Sequence, residues 1–340
     1  MSIEKYTQAF GVAGAEEQVR KVIIEDIKDY VDELLEDSLG NLIALKRGIG
    51  KEKKKVMLAA HMDEIGLQVI HITEKGFLKI RNIGGVRWHA AYMQSVIFEN
   101  GVKGIVLCSD NIDKVPQADA VNKMYIDIGA ANKEEALEMV SIGDYACFEG
   151  GYIELGGGLF SAKALDDRLG CYVIAEALKK LEKPYHDVYF VFTIQEEVGL
   201  RGAKISAERI NPDLGIAVDV TLSFDVPGGK TGSAVLNGGA AIKVSDSAVL
   251  CDAGVVKAMV ACAEENGIKY QLDALMAGGT DAGAISLSNQ GVKSGGVSVP
   301  IRYVHTPRET GSFEDTNAAI NLLHKFLEKN IEIVTEIKHV

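Results

Sequence analysis

A single tryptophan and an aromatic content of 6% in 340 residues leave little material for the stacked platforms on which sugar-cleaving enzymes hold their substrates. The five cysteines, Cys108, Cys147, Cys171, Cys251 and Cys262, are odd in number and include no Cys-x-x-Cys pair. That excludes a disulfide framework and a thiolate zinc site, and leaves reduced core residues. No run of about 18 apolar residues is present, so no membrane-spanning helix is expected. The opening MSIEKYTQAFGVAGAEEQVRK also lacks the basic-then-apolar layout of a secretion signal, which makes a cytoplasmic location the expectation. Basic residues are in deficit, 36 Lys and Arg against 48 Asp and Glu, for a net charge of -12. This disfavours nucleic acid as a partner and favours cations, metal ions included. No Gly-x-Gly-x-x-Gly follows a strand and opens a helix, and the Gly-rich turn Gly278–Gly283 lacks the Lys-Ser/Thr of a nucleotide loop. Dinucleotide and nucleotide phosphates are therefore set aside.

What is present is the balance of a globular enzyme or binding protein, 47% hydrophobic and 25% charged, at a length that suggests two domains. Val19, Val22, Ile23, Ile27, Val31 and Leu34 recur at helical spacing and predict one scaffold helix over Glu16–Leu35. Short strands are expected at Leu42–Leu45 and Val56–Ala60. From Gly66 to about Phe160 the runs shorten, with glycines between them and little helix beyond Lys133–Val140, as in an inserted all-β domain. Trp88 and His89 lie there and read as packing residues. The expected division is 1–69 and 162–340 for one α/β domain and 70–161 for the insertion.

The chemistry gathers where apolar runs end. Val188 to Ile194 reads as a strand buried on both faces and stops at Glu196 and Glu197. Val56–Ala60 stops at His61-Met62-Asp63, Leu214–Val218 stops at Asp219, and Gly296–Val304 stops at His305. Asp166 and Asp167 head a helix whose stripe is Val173, Ile174, Ala177, Leu178 and Leu181; N-capping accounts for one aspartate and not two. In an open parallel α/β sheet the carboxyl ends of the strands form the ligand-binding rim, so all five clusters can converge there. Two imidazoles and several carboxylates suit Zn, Co or Mn, in number enough for two ions about 3.5 to 4 Å apart. Hydrolysis is the natural reaction. His71, His186, His324 and His339 have no acidic partner at a strand end and receive no role.

The motifs His-Met-Asp-Glu-Ile-Gly at 61–66, Leu-Asp-Asp-Arg at 165–168, Gln-Glu-Glu-Val-Gly at 195–199, Val-Asp at 218–219, Gly-Gly-Thr-Asp at 278–281 and His-Thr-Pro at 305–307 resemble those of the tetrahedral (TET-type) aminopeptidases. These glutamyl and leucyl aminopeptidase-like proteins belong to the dinuclear zinc exopeptidases, and the resemblance covers nearly the whole chain. It implies an α/β/α catalytic domain with a mixed, largely parallel sheet, and a PDZ-like barrel at about 70–161 used in assembly. It further implies that Asp166 bridges two divalent ions, that His61 and Asp219 hold one, and that Glu197 and His305 hold the other. Asp63 would orient His61, and Glu196 would be the general base. Twelve subunits forming a hollow tetrahedron that admits only short peptides are also implied.

Two other classes are weighed against this one. A glycoside hydrolase of the endoglucanase type, a label some relatives of the family carry, uses two carboxylates but needs neither histidine. A non-catalytic metal-binding protein could keep all five ligands but has no use for an unliganded Glu196. The preferred N-terminal residue and the physiological metal are left open by the sequence.

Overall fold

The computed structural model describes residues 1–229 and 231–331; Lys230 and residues 332–340, His339 among them, lie outside the described residues. In chain order, helices α1 (Ile3–Gln8) and α2 (Glu17–Ile27) precede strands β1 (Glu33–Glu36), β2 (Leu42–Lys46) and β3 (Lys55–His61). Next come β4 (Gly66–Ile72), β5 (Leu78–Ile83), α3 (Trp88–Ala91), β6 (Ser95–Phe98), β7 (Lys103–Cys108), β8 (Met124–Asp127), α4 (Lys133–Met139) and β9 (Tyr145–Phe148). A small hairpin, β10 (Ile153–Leu155) and β11 (Leu159–Ala162), leads into α5 (Leu165–Lys180), β12 (Asp187–Thr193), α6 (Arg201–Ile210) and β13 (Leu214–Leu222). The chain continues through β14 (Ala240–Ser245), α7 (Ala253–Glu265), β15 (Tyr270–Ala274), α8 (Asp281–Ser286), β16 (Lys293–Ile301), β17 (Glu309–Ser312) and α9 (Phe313–Glu328).

Strands β4 to β9 close into a barrel, while the main sheet runs β1-β2-β12-β3-β13-β16-β14-β15. Its centre, β12, β3, β13 and β16, is parallel. Alternation along β3 shows how the layers form: Val56, Leu58 and Ala60 enter the core shared with α2, α5 and α9, whereas Met57 and Ala59 meet α6 and α8 on the opposite face. A central strand buried on both faces needs an uninterrupted apolar run, and β3 and β12 supply one. Pro300 in β16 is tolerated because β14 pairs with that strand only at Gly296–Ser298, so the missing N–H breaks no ladder there. The barrel has its own core around Leu67, Ile80, Val96, Phe98 and Phe148, with Trp88 packed into it.

Three expected elements end elsewhere; one is β16, which stops at Ile301, so that His305 lies in the turn beyond it rather than at the strand end. The N-terminal helix stops at Ile27, and Leu34 and Leu35 lie in β1, paired antiparallel with Ala44 and Ile43 of β2. Asp37 causes the reversal: its Oδ1 accepts the N–H groups of Leu39, Gly40 and Asn41, and Gly40 takes the left-handed conformation (φ 111) that a side chain disfavours. Strand β13 runs on to Leu222, so Asp219 sits inside it rather than at its end. Its pairing with β3 ceases at Ala217–Ala59 while that with β16 continues. Beyond Ala217 the strand therefore has one open edge, and Asp219 stands on it beside the end of β3.

Candidate metal centre

His61 is the last residue of β3, and its main-chain N–H donates to Asp167 Oδ2 at 3.1 Å. Asp166 and Asp167 depart from helical backbone within the first turn of α5. Asp167 Oδ1 accepts from Gly170 N at 3.0 Å, so this aspartate caps the regular turns that follow and leaves Asp166 free to face the rim. Asp166 lies between the two histidines, with Oδ1 3.1 Å from His61 Nε2 and Oδ2 3.2 Å from His305 Nε2. His305 Nε2 is also 3.2 Å from Glu197 Oε1. Two groups of potential ligand atoms result, each within 4.8 Å: His61, Asp166 and Asp219, and Asp166, Glu197 and His305. Asp166 is common to both.

Glu196 belongs to neither group. Its Oε2 is 4.0 Å from His61 Nε2 and its side chain is 12% exposed. In an extended strand the two adjacent glutamates would point to opposite sides. Here β12 has already ended at Thr193, and Gln195 is left-handed (φ 55), so the loop turns and both carboxylates line one cavity of about 540 Å³.

Asp63 fixes that loop. Its Oδ1 accepts Glu196 N at 2.9 Å and its Oδ2 accepts Glu197 N at 3.1 Å. The His61 ring meets the Asp63 main-chain carbonyl at 3.0 Å through Nδ1, closer than the 3.6 Å to the carboxylate. The geometric contact between Asp63 and His61 is thus chiefly through the backbone, because Asp63 lies past the strand end and its carboxylate turns towards the glutamates. Glu309, which drew no attention in the sequence, sits beneath the centre. Its Oε1 accepts His305 N at 2.8 Å and its Oε2 accepts Asp166 N at 3.0 Å. The run from His305 to Glu309 hinted at it only by proximity. The barrel supplies a wall: a Cβ on Gly84 would lie 2.6 Å from Glu197 Oε2, and one on Gly85 2.5 Å from His305 Nδ1. A side chain at either position would displace Glu197 or His305.

The electrostatics suit cations. Burial pushes the Glu196 carboxyl well above the usual range against the pull of His61, with Asp219 and Asp281 adding to the rise. Burial likewise pushes Asp219 up to about 7, opposed by His61. Burial works against charge on the histidines but loses to their carboxylate partners. His305, 3.2 Å from both Asp166 and Glu197, is raised to about 11 by their charges, and His61 is raised well above its ordinary value by Asp166 and Asp63. Glu197 Oε1 is buried with no well-aligned hydrogen bond, despite the nearby His305 ring. A buried acceptor of this kind, in a crowd of carboxylates and imidazoles without a thiolate, fits divalent cations with a preference for oxygen and nitrogen.

Residues 40–322 match the family model described as M42 glutamyl aminopeptidase. A protein of Acetivibrio thermocellus with the provisional name of aminopeptidase is 50% identical over 94% of this chain and 96% of its own length. An aminopeptidase structure from Desulfurococcus kamchatkensis is 38% identical, with a TM-score of 0.90 over 96% of this chain and 93% of that one. The Pyrococcus horikoshii TET1 peptidase, which can assemble into a tetrahedron or a large octahedral shell, is 33% identical, with a TM-score of 0.83 over 96% of this chain and 98% of that one. A Thermotoga maritima structure bearing the name endoglucanase is 32% identical, with a TM-score of 0.81 over 96% and 97% of the two chains, so one fold carries both names. By the extent of the family match and the 50% identity, the chain belongs to the M42 glutamyl aminopeptidase family and is a metal-dependent peptide hydrolase.

Proposed function

We propose that the chain removes N-terminal residues from short peptides with two divalent cations per subunit, zinc or cobalt, with manganese also suited to the donor set. Asp166 would bridge them, His61 and Asp219 would hold one, and Glu197 and His305 the other. Cations so held polarise a substrate carbonyl and lower the pKa of water. Asp63 holds the main chain of the two glutamates, and Glu309 holds that of Asp166 and His305. Glu196 takes a proton from the attacking water and delivers it to the leaving amine, a role open to a carboxylate that lines the cavity and belongs to neither ligand group.

The observation that carries this reading is the place of Glu196: in the cavity, nearly buried, and outside both ligand groups. A metal store needs no such carboxylate. A glycoside hydrolase would need a surface for sugar rings, and among the described residues no Trp, Tyr or Phe lines this cavity. Turnover of aminoacyl p-nitroanilides by metal-reconstituted protein, beside carboxymethylcellulose, tests the assignment. Peptide-type substrates should be cleaved and cellulose left intact; the reverse result would sink the proposal.

That the Pyrococcus horikoshii relative assembles into a tetrahedron or a large octahedral shell supports a homo-oligomer here, and we take it to be the twelve-subunit tetrahedron that admits only short peptides. Sedimentation should find a dodecamer under active conditions, and an active monomer would contradict it. A cytoplasmic location is part of the same proposal; among the described residues no helix is long and apolar enough to cross a membrane. Fractionation of cells should recover the activity in the soluble interior, and recovery outside the cell would contradict that location.

A further inference from the structure

Strand β12 loses its neighbours at the point where the site begins. Its pairing with β2 ends at Phe192 and its pairing with β3 ends at Thr193. From Ile194 onward the main-chain N–H groups have no ladder to join, and buried donors must find other acceptors. Four consecutive amides do so through side chains from three distant parts of the sequence. Ile194 N donates to Asn41 Oδ1 at 3.0 Å, Gln195 N to Glu16 Oε1 at 3.2 Å, and Glu196 N and Glu197 N to the Asp63 carboxylate at 2.9 and 3.1 Å.

Each acceptor is itself anchored. Asn41 is fully buried, and its Nδ2 donates to Asp37 Oδ2 at 2.7 Å. Glu16 Oε1 also accepts Gly14 N at 2.8 Å, just past Val12, which forms a β-bridge with Glu64 behind His61 and Asp63. On the far side, Ile194 O accepts Gly202 N at 3.0 Å, and a Cβ on Gly202 would meet Asn41 Oδ1 at 2.2 Å. The loop is therefore closed on both sides with no room to slide.

We infer that Glu16 and Asn41 are positioning residues for the reaction: they fix the backbone from which Glu196 and Glu197 project, without touching substrate or cation. This inference rests on Glu196 acting as the base. Displacement of a reacting group by about 1 Å costs up to about 10²-fold in rate, so a loop held at four successive amides is held for geometry. The chemistry of the acceptor also separates position from charge. Both bonds to Glu16 end on one oxygen, Oε1, and glutamine offers the same oxygen without the negative charge.

The test compares Glu16→Ala, Glu16→Gln and Glu16→Asp in the full chain. In metal-free protein, amide hydrogen exchange should be slow across 194–197 in wild type. It should accelerate there in Glu16→Ala, return to the wild-type rate in Glu16→Gln, and leave β5 of the barrel unchanged. In the metal-reconstituted enzyme, Glu16→Ala should lower kcat by about 10- to 100-fold and keep KM within about twofold. The acid limb of its pH–kcat profile should also move, whereas Glu16→Gln should stay within about threefold of wild type. Should Glu16→Ala not fold, the contrast of Glu16→Gln with the shortened Glu16→Asp decides, the latter losing at least about tenfold. Unchanged exchange at 194–197 in the weakened variant, or a Glu16→Gln as impaired as Glu16→Ala or Glu16→Asp, overturns the inference. If Glu196→Gln keeps normal turnover, it is instead the assignment of the base that fails.

Discussion

The carboxylate of Asp63 receives the main-chain N–H of Glu196 at 2.9 Å and of the residue after it at 3.1 Å, so a single side chain sets the direction of both glutamates. Asp63→Asn keeps the shape but offers one oxygen, and turns an NH₂ group against an N–H donor. The His61 ring nitrogen that meets the Asp63 main-chain carbonyl at 3.0 Å is untouched by the change. Turnover of Asp63→Asn should therefore fall by at least about tenfold while elemental analysis finds the full complement of metal. Normal turnover, or loss of an ion, would show that the aspartate acts differently.

Beneath the site lies an ion pair sealed from water. Lys163 Nζ is 2.7 and 2.8 Å from the two oxygens of Glu64, with side-chain exposures of 5% and 3%, and the buried Arg168 guanidinium lies 3.4 Å from the same carboxylate. Arg168 also donates to the main-chain carbonyls of Tyr6, Ala9, Gly11 and Met62, tying the N-terminal segment to the loop after β3. Breaking a buried pair from one side leaves an uncompensated charge and typically costs about 3–5 kcal/mol. Lys163→Met leaves Glu64 only the Arg168 guanidinium at 3.4 Å, so it should lose up to about that much in urea unfolding. Glu64→Leu, which leaves both Lys163 and Arg168 without their carboxylate, should lose more, and a loss no greater than that of Lys163→Met would argue against this coupling.

Glu16 offers a test by pH. Burial and then the nearby Asp63 charge raise its carboxyl to about 7, against the opposing hydrogen bonds from the main-chain N–H groups of Gly14 and Gln195. The folded state thus binds more protons than the unfolded one between about pH 4.5 and 7, and stability from this group falls as pH rises through that window. Glu16→Gln keeps the acceptor and removes the titration. Its stability relative to wild type should grow across the window, by up to roughly 3 kcal/mol, and level off above pH 7. Denaturant titrations of metal-free protein at pH 5 and pH 8 measure this, and a difference that does not vary with pH would contradict it.

These predictions divide along what the sequence can carry. Strand ends are local, and an apolar run that stops at an acid or a histidine announces itself, which is what marks His61, Glu196 and Glu197 as candidates. Asp219 does not stand at such an end: β13 continues past it, and only the earlier end of β3 opens the edge on which it stands. Val31 and Leu34 kept a helical spacing by coincidence, because the turn held by Asp37 imposes a hairpin that periodicity cannot foresee. Glu16, Asn41 and Glu309 were invisible for a different reason. Each acts by accepting amides from segments more than a hundred residues away or across a turn, and nothing in its own neighbourhood marks it.

Metal removal should be felt in stability as well as rate. Chelation should abolish peptide hydrolysis, and zinc or cobalt should restore it. A cation bound only to the folded state at 100 times its Kd adds about 2.7 kcal/mol, so calorimetry should show a higher Tm for the reconstituted protein. Light scattering on the chelated protein would also report any loosening of an assembly. Full activity with no metal detectable would refute the centre.

The most direct measurement is turnover with metal stoichiometry on Glu196→Gln and Glu197→Gln beside wild type. Glu196 lies in neither ligand group, so Glu196→Gln should keep two ions per subunit and lose the proton transfer, about 10²- to 10⁴-fold in kcat or roughly 3 to 5 kcal/mol in the barrier. Glu197, whose buried Oε1 has no well-aligned hydrogen bond and lies in one ligand group, should when changed to Gln lose occupancy of one site. A Glu196→Gln that loses an ion, or that keeps turnover within a few-fold of normal at saturating metal, would contradict the account.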